Sequence, residues 1–247
     1  MKLSKQKIKL HEQAIDLLKK HTLKMTEREF VFENYQPSYD ELVGKIAAFF
    51  TPINMTYAVA MYTPESGTLV DIAAGIGGLS RAAIDTATIQ GCESLKLKVV
   101  CVERNQRFLE VGRKLVPEAT WVQGDIFDKK LWDKLGQFDF AVSNPPFGQI
   151  GQTKGEWLKY NGVADLMTLG VAIEVANAGT FILPQGSCPF EYSGRQCYLE
   201  RKSKTFSSFL EGYPTCTLSC SSVDTSAFAS EWVDASPKVE ILSFENP

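Results

Sequence analysis

The chain has 247 residues, of which 44% are hydrophobic, and a formal net charge of −3. This length is enough for one domain with a full hydrophobic core, and the charge is not that of the strongly basic proteins that bind nucleic acid on their own. The sequence shows neither a signal peptide nor a long apolar run, so we expect a cytoplasmic protein without a membrane partner.

The N-terminal segment is basic and has a helical pattern. Residues 2–30 carry apolar side chains at near-helical spacing among many lysines, which predicts a helical cap. The lysine-rich face is either a solvated surface or a nucleic-acid patch, and both interpretations stay open. A second helix is predicted over residues 38–49, where Ser38 and Glu41 have the spacing of a capping box.

From residue 68 onward, short apolar runs alternate with helical patterns. The predicted strands cover residues 68–72, 98–102, 120–123 and 138–143, and the predicted helices cover residues 79–88, 106–115 and 130–135. Strands separated by helices of this length imply right-handed βαβ crossovers. We therefore predict an α/β fold with a mostly parallel sheet and helices on both faces. The main domain is predicted over residues 49–247 and the helical cap over residues 1–48.

The C-terminal part is predicted to end in an antiparallel hairpin. The elements there are a helix over residues 165–177, a strand over 180–183, a helix over 201–210 and two pairing strands over 215–222 and 239–244. Residues 184–198 are rich in Gly, Ser, Cys and Pro and are predicted to form a long loop. Its Phe190, Tyr192 and Arg195 suit unstacked bases and phosphates, although an ordinary surface loop explains them equally well.

The motif Asn144-Pro145-Pro146-Phe147 follows the predicted strand over residues 138–143, at the sheet edge where ligands of α/β proteins bind. The two prolines fix φ and remove two backbone N–H donors, so the carbonyls of Asn144 and Pro145 can face a pocket. Two acceptors beside an aromatic ring can hold an exocyclic amine while the ring stacks on the base. The motif therefore predicts a site for an amine-bearing base.

A glycine-rich turn from Asp71 to Gly78 follows the first strand and precedes a helix. Such a turn lets a ligand approach the backbone closely, but tight helix–sheet packing also explains it. Glu103 ends the second strand, where an acid accepts hydrogen bonds from ribose hydroxyls or stabilises a helix N-terminus. Asp125 follows the third strand and either accepts from an adenine amino group, with Ile126 packed on the ring, or is an ordinary turn residue. Together, acids at the ends of three consecutive strands predict a nucleoside pocket.

These motifs, taken in order, resemble those of S-adenosylmethionine-dependent N6-adenine DNA methyltransferases, in particular the modification subunits of type I restriction systems and the related gamma-order enzymes. The matching segments are F-F-T-P at 49–52, D-x-A-x-G-x-G-G at 71–78, V-E-R-N at 102–105, G-D-I-F at 124–127, N-P-P-F-G at 144–148 and an apolar strand ending in Leu-Pro at 183–184. The resemblance implies a Rossmann-like class I methyltransferase fold, S-adenosylmethionine as cofactor, and methyl transfer to the N6 amine of an adenine flipped out of DNA.

The resemblance also implies roles for individual residues. Those that it places at the cofactor are Phe50, Thr51, Pro52, Asp71, Ala73, Gly75, Gly77, Gly78, Glu103, Arg104, Asp125, Ile126 and Asn144. Those that it places at the amine and its base are Asn144, Pro145, Pro146 and Phe147. Phe190, Tyr192 and Arg195 are the further candidates for contact with the nucleic acid.

The substrate is less well defined by the sequence than the chemistry. Only 63 residues follow Pro184, so base recognition is expected to be absent, very short or delegated to a separate specificity subunit. DNA is expected rather than RNA, but three alternatives remain: adenine methylation in structured RNA, glutamine methylation in a protein, and a non-catalytic partner subunit with this fold. The six cysteines lack C-x-x-C spacing, so we expect thiols and no metal site.

Overall fold

A computed structural model describes residues 5–36, 50–89, 97–148, 155–201, 203–232 and 236–247. Its helices are α1 (Lys5–Leu17), α2 (Met25–Asn34), α3 (Ile53–Ala60), α4 (Gly78–Ile89), α5 (Gln106–Leu115), α6 (Lys129–Leu135), α7 (Ala164–Val175) and α8 (Lys204–Gly212). Its strands are β1 (Gly67–Ile72), β2 (Leu97–Glu103), β3 (Thr120–Gln123), β4 (Phe138–Ser143), β5 (Ala176–Pro184), β6 (Phe190–Glu191), β7 (Leu199–Glu200), β8 (Thr217–Cys220) and β9 (Val239–Glu245).

Seven strands form one sheet in the order β3-β2-β1-β4-β5-β9-β8. The first five strands of the chain pair in parallel, whereas β9 runs antiparallel to both β5 and β8. The predicted mostly parallel sheet with a C-terminal antiparallel hairpin is therefore confirmed. The strand order reverses between β1 and β4, and the carboxyl ends of strands at such a switch point form the crevice in which ligands of α/β proteins bind.

The sheet separates two hydrophobic clusters, because successive residues of a strand point to opposite faces. In β1, Leu69 belongs to the cluster that includes α2, α4 and α5, whereas its neighbour Val70 belongs to the cluster that includes α7 and α8. Both side chains are fully buried. Helices thus cover both faces of the sheet, as predicted.

Helix α7 differs from the other helices in being buried on nearly every side. It lies between the sheet and the aromatic side chains of α8 and Tyr213. A Cβ added at Gly170 would lie 2.7 Å from the hydroxyl of Tyr213, so the two elements are in close contact at this position. Such a helix has no polar stripe, and the periodicity of its sequence therefore carries little information about which face meets the sheet.

The described part of the N-terminal segment, residues 5–36, contains two helices that are separated at residues 18–24. Helix α2 begins at Met25, where the backbone N–H of Lys24 donates to Glu27 Oε2 at 2.9 Å and so caps a new helix. Helix α2 packs against α5, and Arg28 Nη1 pairs with Glu118 Oε1 at 2.7 Å. The predicted helix over residues 38–49 lies outside the described residues.

The segment predicted as a long loop over residues 184–198 is partly ordered secondary structure. A short 3₁₀ turn over Gln185–Ser187 leads into β6, which pairs with β7. The fully buried Glu240 of β9 holds this segment, because its carboxylate accepts hydrogen bonds from the backbone N–H groups of Tyr192 and Ser193 and from the side chain of Gln185. This anchor lies about 50 residues further along the chain, which is why the local sequence pattern did not indicate it.

One packing contact gives a stability prediction. Gly112 lies inside α5, and a Cβ at this position would stand 2.1 Å from the ring of Trp121. That ring is held in place because its Nε1 donates to the carbonyl of Val116 at 3.0 Å. We expect Gly112→Ala to lower the free energy of unfolding by roughly 1–3 kcal/mol through overpacking, even though this exchange normally favours a helix.

Urea unfolding followed by circular dichroism measures this effect. Gly186→Ala is the matched control, because a Cβ there meets no atom within 4 Å and its φ is not in the left-handed region. The control is expected to unfold within about 0.5 kcal/mol of the wild type. Equal unfolding of both variants would contradict the packing argument.

Candidate active site

A cavity of about 610 Å³ opens at the carboxyl edge of the sheet, next to the switch point between β1 and β4. This volume is typical of a site for a small ligand. The sequence-predicted residues that line it are Phe50, Thr51, Asp71, Ala73, Gly75, Gly78, Glu103, Arg104, Asp125, Ile126, Asn144, Pro145 and Pro146. The structure thus brings the glycine turn, the three acids and the Asn-Pro-Pro motif to one cavity.

The turn between β1 and α4 follows the cavity wall with its backbone. Ala73, Gly75 and Gly77 have φ values of 63°, 57° and 90°, a conformation that costs a residue with a side chain roughly 1–3 kcal/mol. A Cβ at Gly75 would lie 3.2 Å from the ring of Phe50. Glycine is therefore favoured at position 75 by both its backbone conformation and its closeness to Phe50, and the strain at Ala73 is of a kind that clusters at functional sites.

Asp71 lies at the end of β1 and is 1% exposed. Its Oδ2 accepts from the backbone N–H of Ser80 at 3.2 Å and from the Ser80 hydroxyl at 2.7 Å. Burial raises the pKa of Asp71 from its usual value near 3.8 to about 7, because desolvation outweighs these two hydrogen bonds and the nearby charge of Glu103 adds to the rise. The carboxyl group therefore holds a proton more readily than an exposed aspartate.

The raised pKa of Asp71 predicts a pH dependence of stability. Below pH 4 the group is protonated in both the folded and the unfolded chain, and between about 4 and 7 only the folded chain holds the proton. Its contribution to the free energy of unfolding is therefore lost as the pH rises through about 7, by an amount on the order of a few kcal/mol.

Urea unfolding of the wild type and of Asp71→Asn at pH 5 and pH 8 tests this prediction, since the variant is expected to lack this part of the decline. Asp133→Asn, a change at an exposed carboxylate on α6, is the matched control and is expected to follow the wild type. An unchanged decline in Asp71→Asn would show that another group causes it.

Glu103 ends β2 and is 8% exposed. Its Oε2 accepts from the backbone N–H of Gly75 at 2.8 Å, and its Oε1 accepts from that of Asn105 at 2.7 Å. Burial raises the pKa of Glu103, while these backbone hydrogen bonds act against the rise. Because each carboxylate oxygen has two lone pairs, both oxygens keep the capacity to accept from a ligand in the cavity.

Asp125 follows β3 on the far side of the same cavity. Its Oδ1 accepts from the backbone N–H of Phe127 at 3.0 Å, and its Oδ2 lies 3.4 Å from Arg104 Nη1. The ion pair is largely exposed and therefore contributes little to stability. Ile126 and Phe127 are nearly buried and give this end of the cavity an apolar wall that suits a planar ring.

Asn144 comes directly after β4 and lines the cavity together with Pro145 and Pro146. Its Nδ2 donates to the hydroxyl oxygen of Thr51 at 2.9 Å. This hydrogen bond connects the segment before α3 with the Asn-Pro-Pro motif across 93 residues of sequence. It also fixes the plane of the side-chain amide, and with it the direction of the carbonyl oxygen.

Six of the predicted residues do not line the cavity. Those residues are Pro52, Gly77, Phe147, Phe190, Tyr192 and Arg195. Gly77 acts through packing, because a Cβ there would lie 2.9 Å from both Trp121 and Val116. Phe147 is half-buried and lies directly after the lining prolines.

The predicted role of Phe190 as a base contact is corrected by the structure. Its side chain is 2% exposed and belongs to the hydrophobic cluster around α7, so it cannot stack on a base. Arg195 pairs with Glu191 through both Nε and Nη2, and Tyr192 is half-buried. The exposed aromatic side chain in this segment is Tyr198, whose ring stacks on Phe190 with centroids 5.6 Å apart.

Several residues that line the cavity were not predicted. Helix α2 contributes Arg28, Glu29 and Phe32, so the N-terminal segment forms one wall. Phe108 of α5 packs edge-on against Phe50 with centroids 5.2 Å apart. Nothing in the sequence of α2 predicts that it lies at the cavity. Phe108, in the first turn of α5, could have been predicted as part of an apolar wall because α5 begins just after Glu103.

Comparison with known proteins relates this architecture to one group of enzymes. Residues 56–161 match the family model described as methyltransferase small domain. A Listeria monocytogenes protein described as a class I S-adenosylmethionine-dependent methyltransferase superposes with a TM-score of 0.65 over 93% of this chain and 70% of its own, at 11% identity. The chain has a class I methyltransferase fold. None of the curated proteins matches the sequence.

Two type I modification subunits share this methyltransferase fold. The Vibrio vulnificus subunit has a TM-score of 0.61 and 14% identity over 92% of this chain and 51% of its own. The Streptococcus thermophilus subunit has a TM-score of 0.62 and 14% identity over 90% of this chain and 48% of its own. The chain thus spans about half the length of these two subunits.

S-adenosylmethionine is the cofactor of this fold, and the residues present fit it. The glycine turn lines the cavity with Gly75 and Gly78, which have no side chains, so a ligand can approach its backbone. Asp71 and Glu103 supply buried carboxylate acceptors for amino and hydroxyl groups, and Ile126 and Phe127 supply an apolar wall for a purine. The predicted fold and cofactor therefore agree with the cavity.

The described residues contain neither a candidate metal site nor a candidate membrane span. Within them, no group of three or more His, Cys, Asp and Glu side chains is arranged to hold a metal ion. Among the helices of the same residues, none has the length and apolar character needed to cross a membrane.

Proposed function

We propose that the chain transfers a methyl group from S-adenosylmethionine to the N6 amine of adenine in DNA, with the base flipped into the Asn-Pro-Pro-Phe motif. The observation that carries this proposal is the shared cavity. Asn144, Pro145 and Pro146 line the same 610 Å³ space as Asp71, Glu103 and Asp125. In this proposal, the site for the amine therefore adjoins the site for the nucleoside-containing cofactor.

The acids and the glycine turn would hold the cofactor. Glu103 would accept hydrogen bonds from the ribose hydroxyls, and Asp71 would lie by the methionine portion. Asp125 would accept from the adenine amino group of the cofactor, whose ring would pack on Ile126. When bound, S-adenosylmethionine supplies an electrophilic methyl group on a sulfonium.

Asn144 and Pro145 would orient the target amine. The side-chain oxygen of Asn144 accepts one N6 hydrogen, and the carbonyl of Pro145 accepts the other. Holding both hydrogens turns the nitrogen lone pair towards the cavity, which is the orientation that attack requires. Thr51 keeps the amide of Asn144 in its plane through the 2.9 Å hydrogen bond. No base is needed before attack, because the nitrogen becomes acidic only after it is methylated.

Phe147 would stack on the target base beside this clamp. Its position directly after the lining residues Pro145 and Pro146, and its half-exposed side chain, support the role. A base in duplex DNA must leave its stack to arrive there, and stacking on an aromatic side chain offsets part of that cost.

The fold similarity to type I modification subunits and the Phe-Thr-Pro segment support DNA as the substrate. In those systems the matched protein is described as a modification or methyltransferase subunit. Because a protein described as a subunit has partner subunits, we also propose that this chain works with a separate subunit that selects the recognised bases.

The proposal is tested by incubating the protein with methyl-labelled cofactor and four substrates: duplex DNA, single-stranded DNA, structured RNA and a release-factor-like protein. Single-stranded DNA is included because its adenines need no extraction from a duplex. We expect label on adenine N6 in DNA, most readily in the single strand. Label only in RNA or only in protein would overturn the DNA assignment, and failure to bind the cofactor in calorimetry would overturn the enzymatic one.

A further inference from the structure

Gly148, the residue after the Asn-Pro-Pro-Phe motif, is attached to the first turn of α7 through both its backbone N–H and its backbone carbonyl. The N–H of Gly148 donates to Asp165 Oδ2 at 3.0 Å, and the carbonyl of Gly148 accepts from the N–H of Ala164 at 2.7 Å. Gly148 directly follows Phe147, so this double attachment holds the motif at the end opposite to β4.

Gly148 itself is required by its backbone and not by lack of space. Its φ is +79°, in the left-handed region, and a Cβ there would meet no atom within 4 Å. Glycine is therefore favoured at this position. Because Pro146 and Phe147 lie between β4 and Gly148, their placement depends on where Gly148 is held.

Asp165 is an unusual residue for its surroundings. It is 1% exposed within a helix that is mostly apolar and buried on nearly every side, and the other charged residue of that helix, Glu174, pairs with Lys159 at the half-buried end. Among the described residues, its Oδ1 has no hydrogen-bond partner. The carboxylate lies in the first turn of α7, where the helix dipole stabilises negative charge, but this offsets only part of the cost of burying it.

A buried carboxylate with one oxygen lacking a partner is a poor choice for stability. An apolar side chain of similar size would pack better in α7 and would avoid the desolvation cost. The contact that an apolar residue would lose is the hydrogen bond to Gly148. The cost of Asp165 is therefore connected with the position of the motif and not with the packing of the helix.

We propose that Asp165 is a positioning residue, which through Gly148 holds in place the amine acceptors of Asn144 and Pro145 and the ring of Phe147. The proposal rests on the proposed function, since it assigns Asp165 to that same site. Asp165 does not line the cavity, and it acts through the Gly148 backbone. Without the carboxylate, the hydrogen bond from the Ala164 N–H remains, so Gly148 is held to α7 at one backbone group instead of two and the motif before it is less firmly positioned.

Three variants separate positioning from folding. Asp165→Ala removes the acceptor, whereas Asp165→Asn keeps an oxygen for the Gly148 N–H. Asp139→Ala is the matched control, because Asp139 also accepts a backbone N–H, from Thr68 at 2.7 Å, but at the opposite edge of the sheet. The measurements are kcat and KM for methyl transfer to adenine in single-stranded DNA, cofactor Kd by calorimetry, and amide exchange of Gly148 by NMR.

We expect Asp165→Ala to lower kcat by roughly 10- to 100-fold, with the cofactor Kd within about twofold of the wild type. Asp165→Asn should recover most of the loss, and Asp139→Ala should match the wild type. Exchange of the Gly148 amide should be faster in Asp165→Ala alone. A wild-type kcat in Asp165→Ala, or equal losses in kcat, cofactor affinity and thermal midpoint in both Asp165 variants, would overturn the positioning role.

The two proposals fail in different ways. If the wild type does not methylate adenine, the proposed function fails. The measurement of Gly148 amide exchange needs no substrate, so it still tests whether Asp165 holds Gly148. Equal exchange in the wild type and in Asp165→Ala overturns that role, and faster exchange in the variant supports it.

Discussion

Asn144→Ala is expected to lower methyl transfer by about 100-fold or more, because the target amine loses one of the two acceptors that orient it. Cofactor affinity should change much less, since Asp71, Glu103 and the glycine turn remain. The measurements are kcat on single-stranded DNA and, separately, the cofactor Kd by calorimetry. This separation matters because a variant that fails to bind the cofactor would also lose activity, without any information about the clamp.

Asn177→Ala is the matched control for this substitution. Asn177 is an exposed asparagine of β5 at the end of the sheet away from the cavity, and its backbone carbonyl accepts from the Asn246 N–H. It should retain full activity. Methyl transfer in Asn144→Ala at the wild-type rate would refute the proposed clamp, and an equal fall in activity and cofactor affinity would assign Asn144 to the cofactor instead.

The features that sequence analysis predicted well depend on local signals. The strands and helices between residues 67 and 143 follow from alternating apolar runs and from turn residues, and the acids at the strand ends follow from the same register. Parallel strands bring their carboxyl ends to one edge, so Asp71, Glu103 and Asn144 had to meet once the sheet was known. The parallel topology of the sheet was therefore enough to predict that these three residues lie close together, without knowledge of individual long-range contacts.

The features that were missed depend on contacts between distant segments. Phe190 was assigned to a surface loop because Gly, Ser and Pro surround it, yet Glu240 holds that loop against β9 and places Phe190 in the core. Helix α2 reaches the cavity through packing on α5, which its own sequence does not encode. The role of Asp165 was hidden for a similar reason, since its partner Gly148 lies 17 residues earlier and on another element.

Glu103→Gln is expected to weaken cofactor binding by roughly 10- to 100-fold, the range that loss of a hydrogen bond to a charged group predicts. The amide nitrogen of glutamine would face either the Gly75 or the Asn105 N–H, so one acceptor is lost as well as the charge. Calorimetry at pH 7.5 measures the Kd. Glu110→Gln, a change on the exposed face of α5, is the control and should bind as the wild type does.

The same substitution predicts a difference in pH dependence. Because burial raises the pKa of Glu103, its charge is lost at a higher pH than that of an ordinary glutamate, and cofactor affinity should fall accordingly as the pH is lowered. Asp71 lies in the same cavity and has a pKa of about 7, so the pH profile of cofactor affinity in the wild type does not by itself identify which group titrates. The difference between the profiles of the wild type and Glu103→Gln isolates Glu103, and identical profiles would contradict its role.

Stability distinguishes a functional carboxylate from a structural one at this position. Removing the buried charge of Glu103 favours the folded chain, whereas losing one backbone hydrogen bond disfavours it, so the two effects oppose each other. The urea midpoint should therefore shift little while cofactor affinity falls at least tenfold. If the cofactor affinity of Glu103→Gln instead fell only in proportion to the fraction of folded protein, the role of Glu103 would be to stabilise the turn at Gly75. The ribose contact would then belong to another residue of the cavity.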